Sequence, residues 1–386
     1  MRKQILACAA AGLTTLVGAA QADMKTVEKF LEPGGCYYNV GNSAAQLSEI
    51  KPLAQAIYKF TEQKIMENPD LGVRMQGNMA LNTIKEVYGI SGLKNLSAYG
   101  TSSVYAGDYN NIPLFRTKQI MLNRNSEDSL INVFADGKNY TMADLEALPQ
   151  ETLVAMMMNI NTVKLYDLLQ KISLLPPLIM MGDAKVQAET GASIKDWIDN
   201  LNGSYNITMT GNRIYVLAPD NSGLLWALLE KELEIPQGEM RFTYDNFTVM
   251  CDLDAKQFIM EVVLEPAAEC LMSGKSLKES EEFQALKAQL NGFDSGNFML
   301  FFSSDFKEIW GDDAFDSFSP ILFVGQISNE KYEFNGVSPA TSAGMYYAYY
   351  NCAEPLGTLG VLAVQAMLNA EKNTAENIDV EVETQE

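Results

Sequence analysis

One unit constrains the fold of this chain more than any other feature: a strand, a polar cap and a helix, clearest in residues 152–172, TLVAMMMNINTVKLYDLLQKI. Leu153 to Met158 is an apolar run of strand length. Asn159-Ile160-Asn161-Thr162 follows, with side-chain oxygens suited to accept the first free N–H groups of a helix. Val163, Leu165, Tyr166, Leu168, Leu169 and Ile172 then recur at helical spacing. Upstream, Met142 to Leu148 reads as a short helix stopped by Pro149, which cannot continue it. The same order appears near both ends. Met24 to Leu31 precedes Pro33-Gly34-Gly35, the apolar Cys36 to Val40, the cap Asn42-Ser43 and a helical run from Ala44. Phe283 to Leu290 precedes Asn291-Gly292, Asn297 to Phe302, the cap Ser304-Asp305 and a short helix from Phe306 to Trp310. Copies more than a hundred residues apart indicate repeated domains rather than a solenoid.

Between these units the chain runs helices first and strands second. After a helical stretch with Pro52 starting a second helix, and another over Gly77 to Tyr88, strands are expected at 93–106, 114–122 and 130–135. Pro176-Pro177 breaks the chain before a largely helical 178–201. Strands at 204–210 and 213–218 follow, then a helix from Gly223 to Leu233 capped by Ser222, and strands at 239–244, 247–253 and 257–264. Helix 277–290, capped by Ser276, leads to strands at 297–302 and 320–327, and a helix over 356–370 closes the fold. Short turns between successive strands imply antiparallel pairing. The expected class is therefore α+β, with two related domains, each an antiparallel sheet with helices packed on one face. The domains are placed at 23–147 and 148–370, the second divisible near 275, after a leader at 1–22 and before a disordered acidic tail at 371–386.

The phrase Ser276-Leu277-Lys-Glu-Ser-Glu-Glu-Phe283-Gln-Ala-Leu286, followed by a turn and the apolar Phe298 to Phe302, resembles uncharacterised exported bacterial proteins. Those proteins are built from repeated helix–strand–helix modules with antiparallel sheets. The resemblance covers about 30 residues, implies the same repeated α+β layout here, and implies no activity and no site residues.

Export is also the reading of the first 22 residues. Arg2-Lys3 is a basic n-region, Ile5 to Ala20 is small and apolar, and Ala20-Gln21-Ala22 fits a cleavage site that leaves Asp23 first. Cys8 lies too early, without an apolar region ahead of it, to be a lipidation site. The expected destination is the periplasm or the medium. Loss of Arg2 and Lys3 with the leader takes the net charge from −21 to −23. Such a charge argues against nucleic acid and against anionic membranes as partners. The longest later apolar run, Leu356 to Leu368, is too short to span a bilayer, which takes ~20 residues. In an oxidising compartment Cys36, Cys251, Cys270 and Cys352 are available for two disulfides in three connectivities; buried thiols are the alternative.

The chain has no histidine. Ser-His-Asp and Cys-His catalysis and His-ligated zinc are thereby excluded. No phosphate-binding or dinucleotide glycine motif, C-x-x-C or G-x-S-x-G is present in the mature chain, and no cofactor is expected. Carboxylates remain: Asp312, Asp313 and Asp316 beside Trp310, and Asp252 and Asp254 at a strand end. Two carboxyls of separated pKa could hydrolyse a sugar on an aromatic platform, or acidic oxygens could hold calcium. Acids in turns are more commonly just solvated. The tyrosines of 346–350 suit an interface or simply a strand. The 20 methionines and the strands 153–158 and 258–264, apolar on both faces, point to a groove between sheet and helices lined by Met156, Met158, Ile259 and Val263, against the plainer alternative of a filled core. The expected function is a non-enzymatic envelope or secreted protein that binds an apolar small molecule or an envelope protein. A histidine-free carbohydrate hydrolase and an interaction scaffold are the alternatives.

Overall fold

A computed structural model describes residues 23–92, 95–123, 129–135, 137–211, 213–236, 238–263, 274–306 and 320–339. The expected leader, Trp310, Asp312, Asp313, Asp316, Cys270, Cys352, the tyrosines of 346–350, and the helix and tail expected at 356–370 and 371–386 lie outside the described residues.

Helix α1 covers residues 23–30 and leads to β1 (Tyr37–Gly41). A helical hairpin follows, α2 (Ser43–Glu67) and α3 (Leu71–Ile90). Helix α2 runs straight through Pro52 rather than restarting there. Asp70 caps α3 by accepting the N–H groups of Gly72 at 2.6 Å and Val73 at 3.2 Å. Strands β2 (Leu96–Tyr109) and β3 (Ile112–Asn123) form a long hairpin. Its turn is Asn110-Asn111, both with positive φ (49° and 64°), the geometry that matches the twist of paired strands.

The central unit is β4 (Tyr140–Thr141), α4 (Met142–Glu146) and β5 (Thr152–Ile160), then α5 (Thr162–Leu169), α6 (Leu175–Thr190) and α7 (Ile194–Asn200). Asn161 caps α5 through the Lys164 N–H at 2.8 Å, as its position in the polar hinge implies. Strands β6 (Gly203–Thr210) and β7 (Arg213–Pro219) follow, then α8 (Leu224–Glu232), β8 (Arg241–Tyr244), β9 (Phe247–Asp252) and β10 (Gln257–Val263). The cap of α8 is Asp220 rather than Ser222: its carboxylate accepts the N–H groups of Leu225 and Trp226. The last described unit is α9 (Glu281–Gln289), β11 (Ser295–Gly296), β12 (Phe298–Phe302), β13 (Ile321–Ile327) and β14 (Lys331–Ser338). Among the described residues no helix is long and apolar enough to cross a membrane.

Twelve strands form one antiparallel sheet in the order β1-β2-β3-β14-β13-β12-β5-β6-β7-β10-β9-β8; β4 and β11 pair separately. Each strand of the recurring pattern opens a triplet of neighbours: β1 with β2–β3, β5 with β6–β7, β12 with β13–β14. The strands from the late unit sit between the first and the second. The expected break at 147/148 therefore separates neither sheet nor core. Tyr140, Met142 and Leu145 pack in one cluster with Ala155, Met157, Met299, Phe301, Phe283 and Leu286, and the described residues form one compact unit. Residues 130–135 are a 3-10 turn, Leu130–Phe134, and not the expected strand. Both edges of β3 are already taken, by β2 and β14, so no partner is open to them. The turn is held instead by a buried chain in which Asn123 donates to the Tyr332 hydroxyl (2.6 Å) and that hydroxyl to Asn132 (2.9 Å).

Helices α1, α4 and α9 cover one face, as expected. Helix α8 departs from that plan: Trp226 packs with Val249, Cys251 and Phe258 on the opposite face. That opposite face carries an aromatic run across β12–β14. Phe298 meets Phe323 edge-on (6.2 Å) and Phe323 stacks on Phe334 (5.3 Å, 24°). Glycine lets these rings lie flat, because Phe323 pairs with Gly336 and Gly325 with Phe334. A Cβ at Gly336 would stand 2.5 Å from the Phe323 ring. Gly336→Ala is expected to destabilise the protein by about 1–3 kcal/mol through this forced shift. The check is urea unfolding, in which the midpoint falls while its slope holds.

Candidate functional site

Strand registry decides the fate of the proposed groove. Met156 pairs with Ile207, Ile207 with Val216 and Val216 with Met260, so these four share one face. Ile259 and Val263 alternate with Met260 and point from the other face. Met156 and Met158 are half-buried on the face of the phenylalanine run, whereas Ala155 and Met157 are fully buried beneath α4 and α9. The structure thus brings Met156 to Met158, separates both from Ile259 and Val263, and gives the four no common pocket.

Ile259 does line an open depression of about 570 Å³ with Met240, Arg241, Met250, Cys251, Asp252, Leu253 and Asp254, at the β8 edge. Asp252 serves the turn there, accepting the Ala255 N–H at 2.9 Å. Cys251 is buried, and burial first, then Asp220, Asp252 and Glu230, push its thiol above the usual range. Cys36 is exposed, and its thiol donates to the Ser103 carbonyl. The two are free and cannot bond each other: nine strands lie between β1 and β9, roughly 48 Å along the sheet at ~4.8 Å per strand.

A second cleft, about 390 Å³, is polar and lies where the β2–β3 turn, the entry to β5, the start of α9 and the end of β12 meet. Tyr109, Glu151, Glu281, Glu282, Ser304 and Asp305 are among its walls. Glu282 is buried in the first turn of α9, and its carboxylate accepts the Ser304 N–H (3.1 and 3.2 Å) and the Ser304 hydroxyl. Burial raises its pKa above the ordinary carboxyl value. Hydrogen bonds from Ser304 and Ser303 work against the rise, and nearby Asp305 adds to it. Burial and the same acids, Glu282, Glu281 and Asp305, also raise the Tyr109 phenol.

The third feature is the surface of α2, α3 and α6. Of the twenty large apolar side chains exposed among the described residues, fourteen belong to these helices and Leu174. Phe60 is 63% exposed, Ile84 62% and Met180 73%, far from the half-buried condition of a sheet face. Only Leu81 and Ile90 of α3 are buried. One side of α3 meets α2: Gly77 leaves room for Ile65 and Asn78 donates to the Met66 sulfur. The adjacent side carries Gln76, Met79, Ala80, Thr83 and Ile84, which with Leu174 line an almost wholly apolar groove of about 430 Å³. Glu86 joins α3 to the start of α6 by accepting the Ser173 N–H at 2.8 Å and the Ser173 hydroxyl. Residues 75–84, MQGNMALNTI, contain no charge. The periodicity of 77–88 showed the helix, but not that Met79, Ile84, Val87 and Tyr88 stay exposed.

No protein-family model matches the sequence, and no curated protein and no solved structure is similar to it.

Glu282 yields a pH test. Its folded pKa lies above the unfolded value, so the native state holds the extra proton and stability falls as pH rises from about 4.5 through the folded pKa. Glu282→Gln keeps an acceptor for Ser304 N–H and carries no charge. The variant is expected to equal the parent near pH 4 and to melt higher at pH 8, removing that part of the slope of Tm against pH.

Proposed function

We propose that this chain is an exported interaction protein without catalytic activity, which presents the α2–α3–α6 surface to a protein partner in the periplasm or outside the cell. The observation that carries the reading is the concentration of exposed apolar side chains on those three helices, with Met79 and Ile84 beside one apolar groove. Its lack of charge across 75–84, in a chain of net charge −21, supports the same conclusion, because the acidic remainder repels most neighbours and this stretch does not. Gln76, Met79, Ala80, Thr83 and Ile84 follow the i, i+3, i+4, i+7, i+8 spacing by which one helix receives another. The leader at 1–22 supports export. On this reading the three strand triplets are copies of one helix–strand–helix unit, which agrees with the resemblance to exported bacterial proteins, and the two related domains become three units fused in one sheet.

A photo-crosslinking amino acid in place of Ile84, expressed in the producing cell, is expected to give protein adducts on illumination. The same residue at Lys256, in an exposed turn, is expected to give none. Absence of any adduct at position 84 would remove this reading.

A second reading, carbohydrate hydrolysis by paired carboxyls, is favoured by one observation: Glu282 is held toward its protonated form beside Asp305 and Glu281. On that reading Glu282 is the acid and Asp305 or Glu281 the ionised partner. Glycan cleavage by the mature protein that Glu282→Gln abolishes would support it; a glycan panel left uncut would end it.

A further inference from the structure

We infer that the outer edge of β8 pairs with the same edge of a second copy of this chain, antiparallel and centred on Thr243, so that two sheets join into one. The register of β8 with β9 sets which backbone groups are available. Tyr244 pairs with Phe247 across a two-residue turn, and the Cys251 N–H donates to the Met240 carbonyl, so Met240, Phe242 and Tyr244 turn their backbone groups toward β9. Arg241 and Thr243 turn theirs outward, where among the described residues no strand receives them. An edge of this kind is satisfied by one chemistry, the alternating N–H and C=O groups of another extended strand.

The sequence of the edge selects the strand that fits it. Residues 241–245 read Arg-Phe-Thr-Tyr-Asp. Turned end for end about Thr243, this segment meets itself in complementary pairs: Arg241 opposite Asp245, Phe242 opposite Tyr244, and Thr243 opposite Thr243. Opposite charges, aromatic rings and threonines are the cross-strand pairs that stabilise an antiparallel sheet. The backbone obeys the same register, because the outward groups of Thr243 in one copy face those of Thr243 in the other. Among the described residues neither Arg241 nor Asp245 has an ion-pair partner, and both are exposed. Tyr244 is 71% exposed, although it lies on the face where Phe242 packs with α8. Phe242 of the second copy would extend that packing over it. A lone charge on an edge strand opposes pairing. Charges of opposite sign, four residues apart, favour it in this register. Sliding the copies to set Arg241 against Glu239 instead leaves the strand, because the Glu239 N–H is turned onto the Pro236 carbonyl. The other edge of the sheet, β1, carries no charge to set a register. The net charge of −21 on each copy opposes association, and four strand residues from each make a contact smaller than the ~800 Å² per partner of a standard interface. The dimer is therefore weak.

Sedimentation equilibrium of mature protein, residues 23–386, is the test, over a concentration series reaching on the order of 1 mM. The mass is expected to approach that of two chains at the top of the series and to fall to one chain on dilution. Arg241→Asp and Asp245→Lys each set like charges against each other at both ends of the contact, and each alone is expected to weaken association by on the order of tenfold. An equimolar mixture of the two variants has an opposite pair at each end again, and is expected to associate like the parent. In a Cys36→Ser background, Thr243→Cys is expected to form a disulfide-linked dimer on mild oxidation, since residues so paired stand about 5.5 Å apart between Cα atoms. Lys256→Cys, in an exposed turn, is not. A one-chain mass throughout overturns the inference. So does a dimer that either single variant leaves intact, a mixture that associates no better than its components, or Thr243→Cys linking no better than Lys256→Cys. None of these outcomes bears on the α2–α3–α6 surface, which shares no residue with β8.

Discussion

Arg116 ties together three segments that are far apart in the chain. Its guanidinium holds the Glu32 carboxylate at 2.7 and 3.0 Å, just after α1, and donates through Nη1 to the Gln289 carbonyl at 2.9 Å, at the end of α9. Lys118 adds a second cation to Glu32 at 2.9 Å. Burial opposes the ionised form of Glu32, and the bonds from Arg116 and Lys118 outweigh it, leaving the carboxyl below its ordinary pKa. One residue along, Asn335 donates to the Leu290 carbonyl at 2.6 Å. The last carbonyls of α9 are thus satisfied by side chains of the sheet it lies on, one of them cationic, which suits the negative end of a helix. Phe283, Leu286 and Leu290 can then stay sealed over Met299, Phe301, Val324 and Val337.

That clamp accounts for the merging of what the linear pattern separates. Helix α9 belongs to the late unit, Arg116 to the first and α4 to the central one, and all three close a single core. With β14 paired to β3 and β12 to β5, every recurring unit shares an edge with another. A unit alone would expose unpaired strand edges, which proteins avoid or cover. Among the described residues, fusion into one sheet leaves β1 and β8 as its edges. The α2–α3 hairpin contributes nothing to that core cluster, and among the described residues Met79 and Ile84 of α3 stay exposed.

The candidate sites were unevenly legible. Glu282 stands in a run of acids, Glu279, Glu281 and Glu282, that reads as a solvated helix start. Its burial depends on the end of β12 reaching it, a contact 22 residues away. The alternation of β5 made Met156 and Met158 neighbours in advance, and they are. Setting Ile259 and Val263 beside them required the registers of β6, β7 and β10, and a shift of one residue in strand phase reverses every side chain. The α3 groove was hidden for a related reason: a helical period identifies an apolar face and is silent about what covers it.

The sequence by itself determined most elements, though not the 3-10 turn at Leu130–Phe134 or the cap of α8, because the signals that set the others are local. Asp70, Asn161 and Ser280 bind N–H groups two or three residues away, and the Asn110-Asn111 turn needs only its own backbone. It also determined the antiparallel pairing and the exclusion of histidine chemistry, since short turns and composition are local facts. Only the tertiary structure decided the order of strands, the joining of the units into one sheet, the burial of Glu282 that raises its pKa and the exposure of α3. Each of these depends on which distant segment occupies a given edge or face, and that choice is made by the whole core at once.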